Sequence, residues 1–222
     1  MRKRFTLLEL LIVVAVIGIL VTLLMPSLAK ARQAARNAVC LTNTNQLGKG
    51  ATLFTSDNSG KYPNNNFQYL GRVWMGRAGT QTGYGQTVTQ RPINPYLGFK
   101  TNGMEIEMVK DPCSPNHPRN GNYKAKGTTY YGNEHHSGWN GLTNVHVSQI
   151  NNPTKVVVIR ADGTDSKVMN TSSTYWRAYH KLNKYEYPFT FVDGSSRFFE
   201  VKAREGVSFE EGEFILNLNI DN

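Results

Sequence analysis

Cysteine is scarce in this chain of 222 residues, which holds only Cys40 and Cys113. Two cysteines exclude a disulfide-dense scaffold and permit at most one intramolecular bridge. Charge is thin as well, at 18% of residues, and the basic share of it is scattered. No run of lysine and arginine with interleaved aromatics occurs, so the net charge of +9 reads as a solvated basic surface rather than a nucleic-acid interface. Catalytic motifs are missing. There is no Gly-x-Ser-x-Gly elbow, no phosphate-cradling glycine loop and no paired-carboxylate motif, so the sequence does not point to an enzyme or to an organic cofactor. His117, His135 and His136 accompany Cys113, but Glu134-His135-His136 is not a HExxH helix and no paired spacing suits zinc. These histidines read as surface residues. No internal repeat is visible.

What the chain does have is unevenly placed. Hydrophobic residues make up 39% of it, and residues 10–25, LLIVVAVIGILVTLLM, are an almost unbroken apolar run. The remainder is polar, rich in Gly and Asn, and holds most of the tyrosines. Arg2, Lys3 and Arg4 precede the run. Counted from Phe5, the stretch has about 20 residues, the length that spans a bilayer as a helix. A basic cluster before a span stays on the cytoplasmic side, which would put the rest of the chain outside the cytoplasm. Glu9 interrupts the pattern. A carboxylate near the start of a span costs roughly 3 kcal/mol on insertion scales and usually has a partner. It either sits among headgroups or pairs with a cation at its own depth, such as a freed α-amino group at Phe5 of a neighbouring copy.

Residues 4–14, Arg-Phe-Thr-Leu-Leu-Glu-Leu-Leu-Ile-Val-Val, resemble the class III signal of type IV prepilins and type II secretion pseudopilins. The resemblance implies cleavage by a prepilin peptidase between Arg4 and Phe5, N-methylation of Phe5, and an assembly role for Glu9 as the fifth mature residue. It also puts Pro26 where many pilins have a helix-kinking proline. One departure is Arg4, since the usual residue before the cut is Gly, although some large bacterial groups carry Lys or Arg there. The implied protein is a single-pass inner-membrane subunit with a cytoplasmic N-terminus. Its partners would be an assembly platform and copies of itself or other pilin-like chains, in a pilus or a secretion pseudopilus. Two rivals stand beside this reading. One is an ordinary secretory signal, cut near Ser27-Leu28-Ala29. The other is a membrane-anchored extracytoplasmic binding domain that never polymerises.

Beyond Pro26, Leu28, Ala31, Ala35, Ala38, Leu47, Ala51 and Phe54 recur at helical spacing. One helix is therefore expected over residues 5–57, roughly 80 Å at 1.5 Å per residue, ended by Ser-Asp-Asn-Ser-Gly at 56–60. Pro26 should bend it, and Asn43, Thr44, Asn45, Gly48 and Gly50 are places where it could loosen. Cys40, Asn43, Gln46 and Gly48 resemble a Cys-x-x-Asn-x-x-Gln-x-Gly core of large pilin-like families. Asn94-Pro95-Tyr96-Leu97 and Asp111-Pro112-Cys113-Ser114-Pro115 resemble their Pro-Tyr-Leu and Cys-Pro elements. Asp193-Gly194 matches their terminal His and Asp-Gly pattern only loosely, because His180 lies too far upstream.

The fold class expected is α+β: a long N-terminal helix packed on an antiparallel β domain with long loops. The divisions are a leader at 1–4, a span at 5–25, an exposed half-helix at 26–58 and a β-rich domain at 59–222. Within that domain 156–159 reads as a strand, 189–192 and 197–201 as a hairpin, and 214–220 as a last strand. Residues 61–150 read as loops with a few short strands. Asp162, Asp165 and Asp193 could offer oxygen ligands to calcium, though Asp-Gly is foremost a turn dipeptide. Cys40 and Cys113 either close one bridge or remain two thiols.

Overall fold

A computed structural model describes residues 6–64, 74–80, 84–113, 121–133, 141–161 and 186–200. Its first element, α1, runs Leu7–Asp57 over 51 residues. The helix starts where a capping box is encoded. Thr6 caps the Glu9 backbone N–H, and the Glu9 side chain answers to the Thr6 backbone N–H. It stops where Ser59 and Gly60 turn to positive φ, 53° and 74°, a conformation glycine adopts freely. Pro26 lies inside the helix and does not end it. It removes the donor that would serve the Thr22 carbonyl. The helix is therefore as long as the sequence spacing predicts.

After α1 the described residues form short 3-10 turns, a six-residue helix α2 (Gly121–Lys126), and four strands: β1 (Tyr130–Gly132), β2 (Val157–Ala161), β3 (Glu186–Phe191) and β4 (Ser196–Glu200). They make one antiparallel sheet in the order β1-β2-β3-β4. The chain is α+β, as its sequence implies. The expected hairpin is the β3–β4 pair, in register from Glu186 opposite Glu200 to Thr190 opposite Ser196. All five residues of β2 are buried, so both faces of the central sheet are covered. β2 also carries an irregularity between Val157 and Ile159. There the Asn133 N–H donates to the Val158 carbonyl and Asn133 Nδ2 to the Val157 carbonyl. The expected strand at 214–220 lies outside the described residues.

Only the C-terminal part of α1 packs on this domain. Its buried residues are Cys40, Thr44, Leu47, Gly48, Gly50, Ala51 and Thr55. Leu28, Ala31, Ala35 and Ala38, which share helical spacing with Leu47 and Ala51, are exposed, so that part of the expected stripe does not face the sheet. Gly48 and Gly50 do not loosen the helix. They let it approach. A Cβ at Gly48 would stand 2.3 Å from Thr190 Cγ2 and 3.1 Å from Thr190 Cβ. The Thr190 and Ser196 hydroxyls, 2.6 Å apart, hold that rotamer.

Gly48→Ala is therefore expected to destabilise the domain by about 1–3 kcal/mol through overpacking, against the helix-propensity gain of up to about 1 kcal/mol that alanine brings elsewhere. Gly48→Ala with Thr190→Ser, which removes the clashing methyl, should recover most of the loss. Urea unfolding of the four proteins in this cycle measures it. Additive effects of the two substitutions would refute the contact. At Gly50 the obstacle is the far end of the Leu97 side chain, at 2.8 Å, which can swing aside. Gly50→Ala should be near neutral.

Candidate functional site

Two features of the molecule are not explained by folding alone. The first is the N-terminal half of α1. Every residue from 6 to 32 is exposed. Its large apolar side chains range from 44% exposed at Val21 to 87% at Leu7. The apolar residues surround the helix rather than forming a stripe. A helix that is apolar all round belongs inside a membrane or inside a bundle of other helices. This one is long and apolar enough to cross a membrane. Lys30 and Arg32, both exposed, follow the apolar stretch within two turns.

Glu9 sits one turn into this half. The Thr6 backbone N–H and the Thr6 hydroxyl each donate to Glu9 Oε2 at 2.8 Å, and the Glu9 N–H donates to Thr6 Oγ1 at 3.3 Å. The carboxylate thus has a local structural task that its position in an apolar run does not suggest. Both bonds end on Oε2. The hydroxyl of Thr22, deeper in the stretch, is satisfied by the Ile19 carbonyl at 2.7 Å. Arg4 and Phe5, the residues flanking the expected cut, lie outside the described residues.

The second feature is buried where α1 meets the domain. Cys40 is fully buried and Cys113 is 7% exposed. Their sulfurs are 2.8 Å apart. Asp111, also buried, accepts from the Cys40 thiol at 2.9 Å and from the Cys113 backbone N–H at 2.8 Å, both on Oδ1. The Cys113 thiol donates to Asn37 Oδ1 at 3.3 Å. The loop is fixed from the sheet side. The Asp111 N–H donates to Thr129 Oγ1 at 2.7 Å, and the Thr129 hydroxyl to the Val109 carbonyl at 3.0 Å. Cysteine counting finds the two sulfurs. It does not find Asp111 or Asn37, and the only signal for Asp111 is its place in the Asp-Pro-Cys element.

His117, His135, His136, Asp162 and Asp165 lie outside the described residues. Asp193 Oδ1 accepts from the backbone N–H and hydroxyl of Ser195, at 2.9 and 2.7 Å, so its carboxylate shapes the β3–β4 turn. Asn94, from the Pro-Tyr-Leu element, is a buried brace. Its Nδ2 donates to the carbonyls of Gly76 and Val88, and its Oδ1 accepts from the Gly76 N–H. No protein-family model, curated protein or solved structure matches the chain.

Proposed function

We propose that this chain is a pilin-like subunit, inserted in the inner membrane by the first half of α1 and assembled through that half into a pilus or secretion pseudopilus. The observation that carries the reading is the uncovered half-helix. Sixteen large apolar side chains from Leu7 to Leu28 stand exposed on it. A membrane satisfies them before assembly and neighbouring helices satisfy them afterwards, so one surface serves both states. Nineteen residues, 7–25, give about 28 Å of helix at 1.5 Å per residue, close to the hydrocarbon thickness. The basic residues at 2–4 suit a cytoplasmic N-terminus, with the sheet domain on the other side. Arg-Phe-Thr-Leu-Leu-Glu, with Glu9 five residues into a chain beginning at Phe5, supports processing at Arg4.

One observation favours a plain membrane anchor: Glu9 is already bonded to Thr6 of its own chain. Mechanical shearing separates the two readings. A subunit should appear in the sheared extracellular fraction when the assembly machinery is present, and an anchor should stay wholly with the membranes. Processing has its own measurement. Intact mass of the membrane form should place the N-terminus at Phe5 with one added methyl group. A start at Met1, or at Lys30 as an ordinary signal peptidase would leave it, would contradict processing. Arg4→Gly should speed the cut.

A further inference from the structure

We infer that Cys40 and Cys113 close a disulfide that staples α1 to the sheet domain, with Cys113 as the thiol that reacts first and Asp111 as the proton acceptor for Cys40. The inference rests on the proposed reading only for where the oxidant is met, outside the cytoplasm.

Cys40 has one S–H, and Asp111 Oδ1 lies 2.9 Å from that sulfur. The Cys113 S–H is directed at Asn37 Oδ1. The Cys40 S–H has two acceptors within reach, Asp111 Oδ1 and, at 2.8 Å, Cys113 Sγ, and the carboxylate is the stronger, so the sulfur–sulfur approach is left without a hydrogen. Two thiols gain nothing from such a contact, whereas a covalent bond would use it. Zinc fits less well. Two thiolates on one tetrahedral zinc, with Zn–S near 2.3 Å, stand about 3.8 Å apart. These sulfurs are closer than that, and among the described residues the cluster offers only the two sulfurs and one carboxylate.

The order of reaction follows from burial. Both cysteines are buried, but Cys113 at 7% exposed lies nearer to solvent than Cys40 at 0%, so a disulfide donor meets Cys113 first. The oxidant is a disulfide, from either a small thiol or an oxidoreductase. The Cys113 thiolate attacks it, forming a mixed disulfide and releasing one thiolate, which takes the proton Cys113 gave up. Cys40 then attacks Cys113 Sγ. Its proton passes to the Asp111 carboxylate, the second thiolate departs, and that thiolate receives the proton. Two thiols and one donor disulfide become one protein disulfide and two donor thiols.

The staple has a mechanical meaning. It lies at the first fully buried residue of α1, where the uncovered half-helix meets the domain. Force on the N-terminal half would reach the sheet domain through a covalent bond rather than through side-chain packing.

The test uses the full chain in detergent micelles with oxidised glutathione as the disulfide donor. Acid quenching, alkylation and intact mass follow. Wild type should lose both thiols and retain no glutathione. Cys40→Ser should hold one glutathione on Cys113, and Cys113→Ser should leave Cys40 unmodified while folded. Asp111→Asn should accumulate the mixed disulfide, with closure slowed roughly 100-fold at neutral pH, as for loss of a general base. Raising the pH toward the thiol range should restore its rate, which a merely structural defect would not allow. Two persistent thiols in wild type, glutathione on Cys40 in the Cys113→Ser protein, or stoichiometric zinc that blocks both thiols would each overturn the inference. Because the protein is purified, failure here does not bear on membrane location, and failure of the filament reading does not alter the thiol chemistry.

Discussion

Replacing Glu9 by glutamine is expected to reduce filament recovery at least tenfold while membrane insertion and the sheet domain remain intact. The structure makes this the cleanest substitution. Glutamine at the third helical position can still complete a capping box with Thr6, so the helix start is kept. What disappears is the charge. On the proposed reading that charge meets the Phe5 amine of an adjacent subunit inside a low-dielectric bundle, where a charge-assisted bond contributes about 1.5–3 kcal/mol. A factor of ten corresponds to about 1.4 kcal/mol, and each added subunit would lose the contact once. Insertion should not suffer, since a charged residue in a span is the costly one. Glu9→Ala is less informative alone because it also removes the side-chain half of the capping box, the acceptor for the Thr6 backbone N–H. Its filament yield should fall at least as far as that of Glu9→Gln. The measurement is sheared-filament recovery with inter-subunit crosslinking, normalised to membrane-bound monomer. Wild-type assembly by Glu9→Gln would mean that Glu9 serves its own helix alone, and the plain-anchor reading would then gain.

The parts of this molecule that were legible in the sequence are those governed by local periodicity. Continuous apolar content and good helix formers mark α1 from its first turn to Asp57. Alternation around Asp193-Gly194 marks the β3–β4 hairpin. Where distance along the chain exceeds the reach of a pattern, the reading thins. Gly48 looks like a helix weakness until Thr190, 142 positions away, is seen against it. Leu28 and Ala31 share a stripe with Leu47 and Ala51, but nothing in a periodicity tells how far down a helix its domain extends. Asp111 joins Cys40 across 71 positions, which a count of cysteines cannot express. Residues 61–150 carry neither a period of 2 nor one of 3.6 over any length. Among the described residues there, single buried polar groups tie turns together, and a sequence displays such a residue as one more asparagine or arginine on a basic chain.

Arg91 is the strongest of these ties, and its loss should be the most damaging single change in the domain. It is fully buried. Its Nη1 donates to the Met75 carbonyl, and its Nη2 to the Lys126 carbonyl at 2.8 Å and toward the Tyr84 carbonyl at 3.5 Å. One planar fork thus holds three stretches: the turn at 74–77, the segment leading to Val88 and the end of α2. Gly127 gives it room. Its φ is +80°, and a Cβ there would stand 1.8 Å from the Arg77 carbonyl oxygen and 2.8 Å from Arg91 Nη2. Burial pushes the guanidinium down to about 10, still far enough above neutral pH that the side chain remains charged. Arg91→Met keeps much of the volume but leaves these carbonyls without their charged donor, each such loss costing about 1–3 kcal/mol. A total of at least 3 kcal/mol is expected in urea unfolding of the detergent-solubilised chain. Arg91→Lys should fall between, because an ammonium is a point donor without the fork. Hydrogen exchange gives the sharper readout. Protection should drop first at the amides of Arg77 and Gly127, which bond the carbonyls of Gly127 and Tyr123, while the β3–β4 ladder keeps its protection longer. Uniform loss across the sheet would mean that Arg91 acts on global stability alone. A cost below about 0.5 kcal/mol, the range of ordinary surface substitutions, would mean that the turns are held by something other than this side chain.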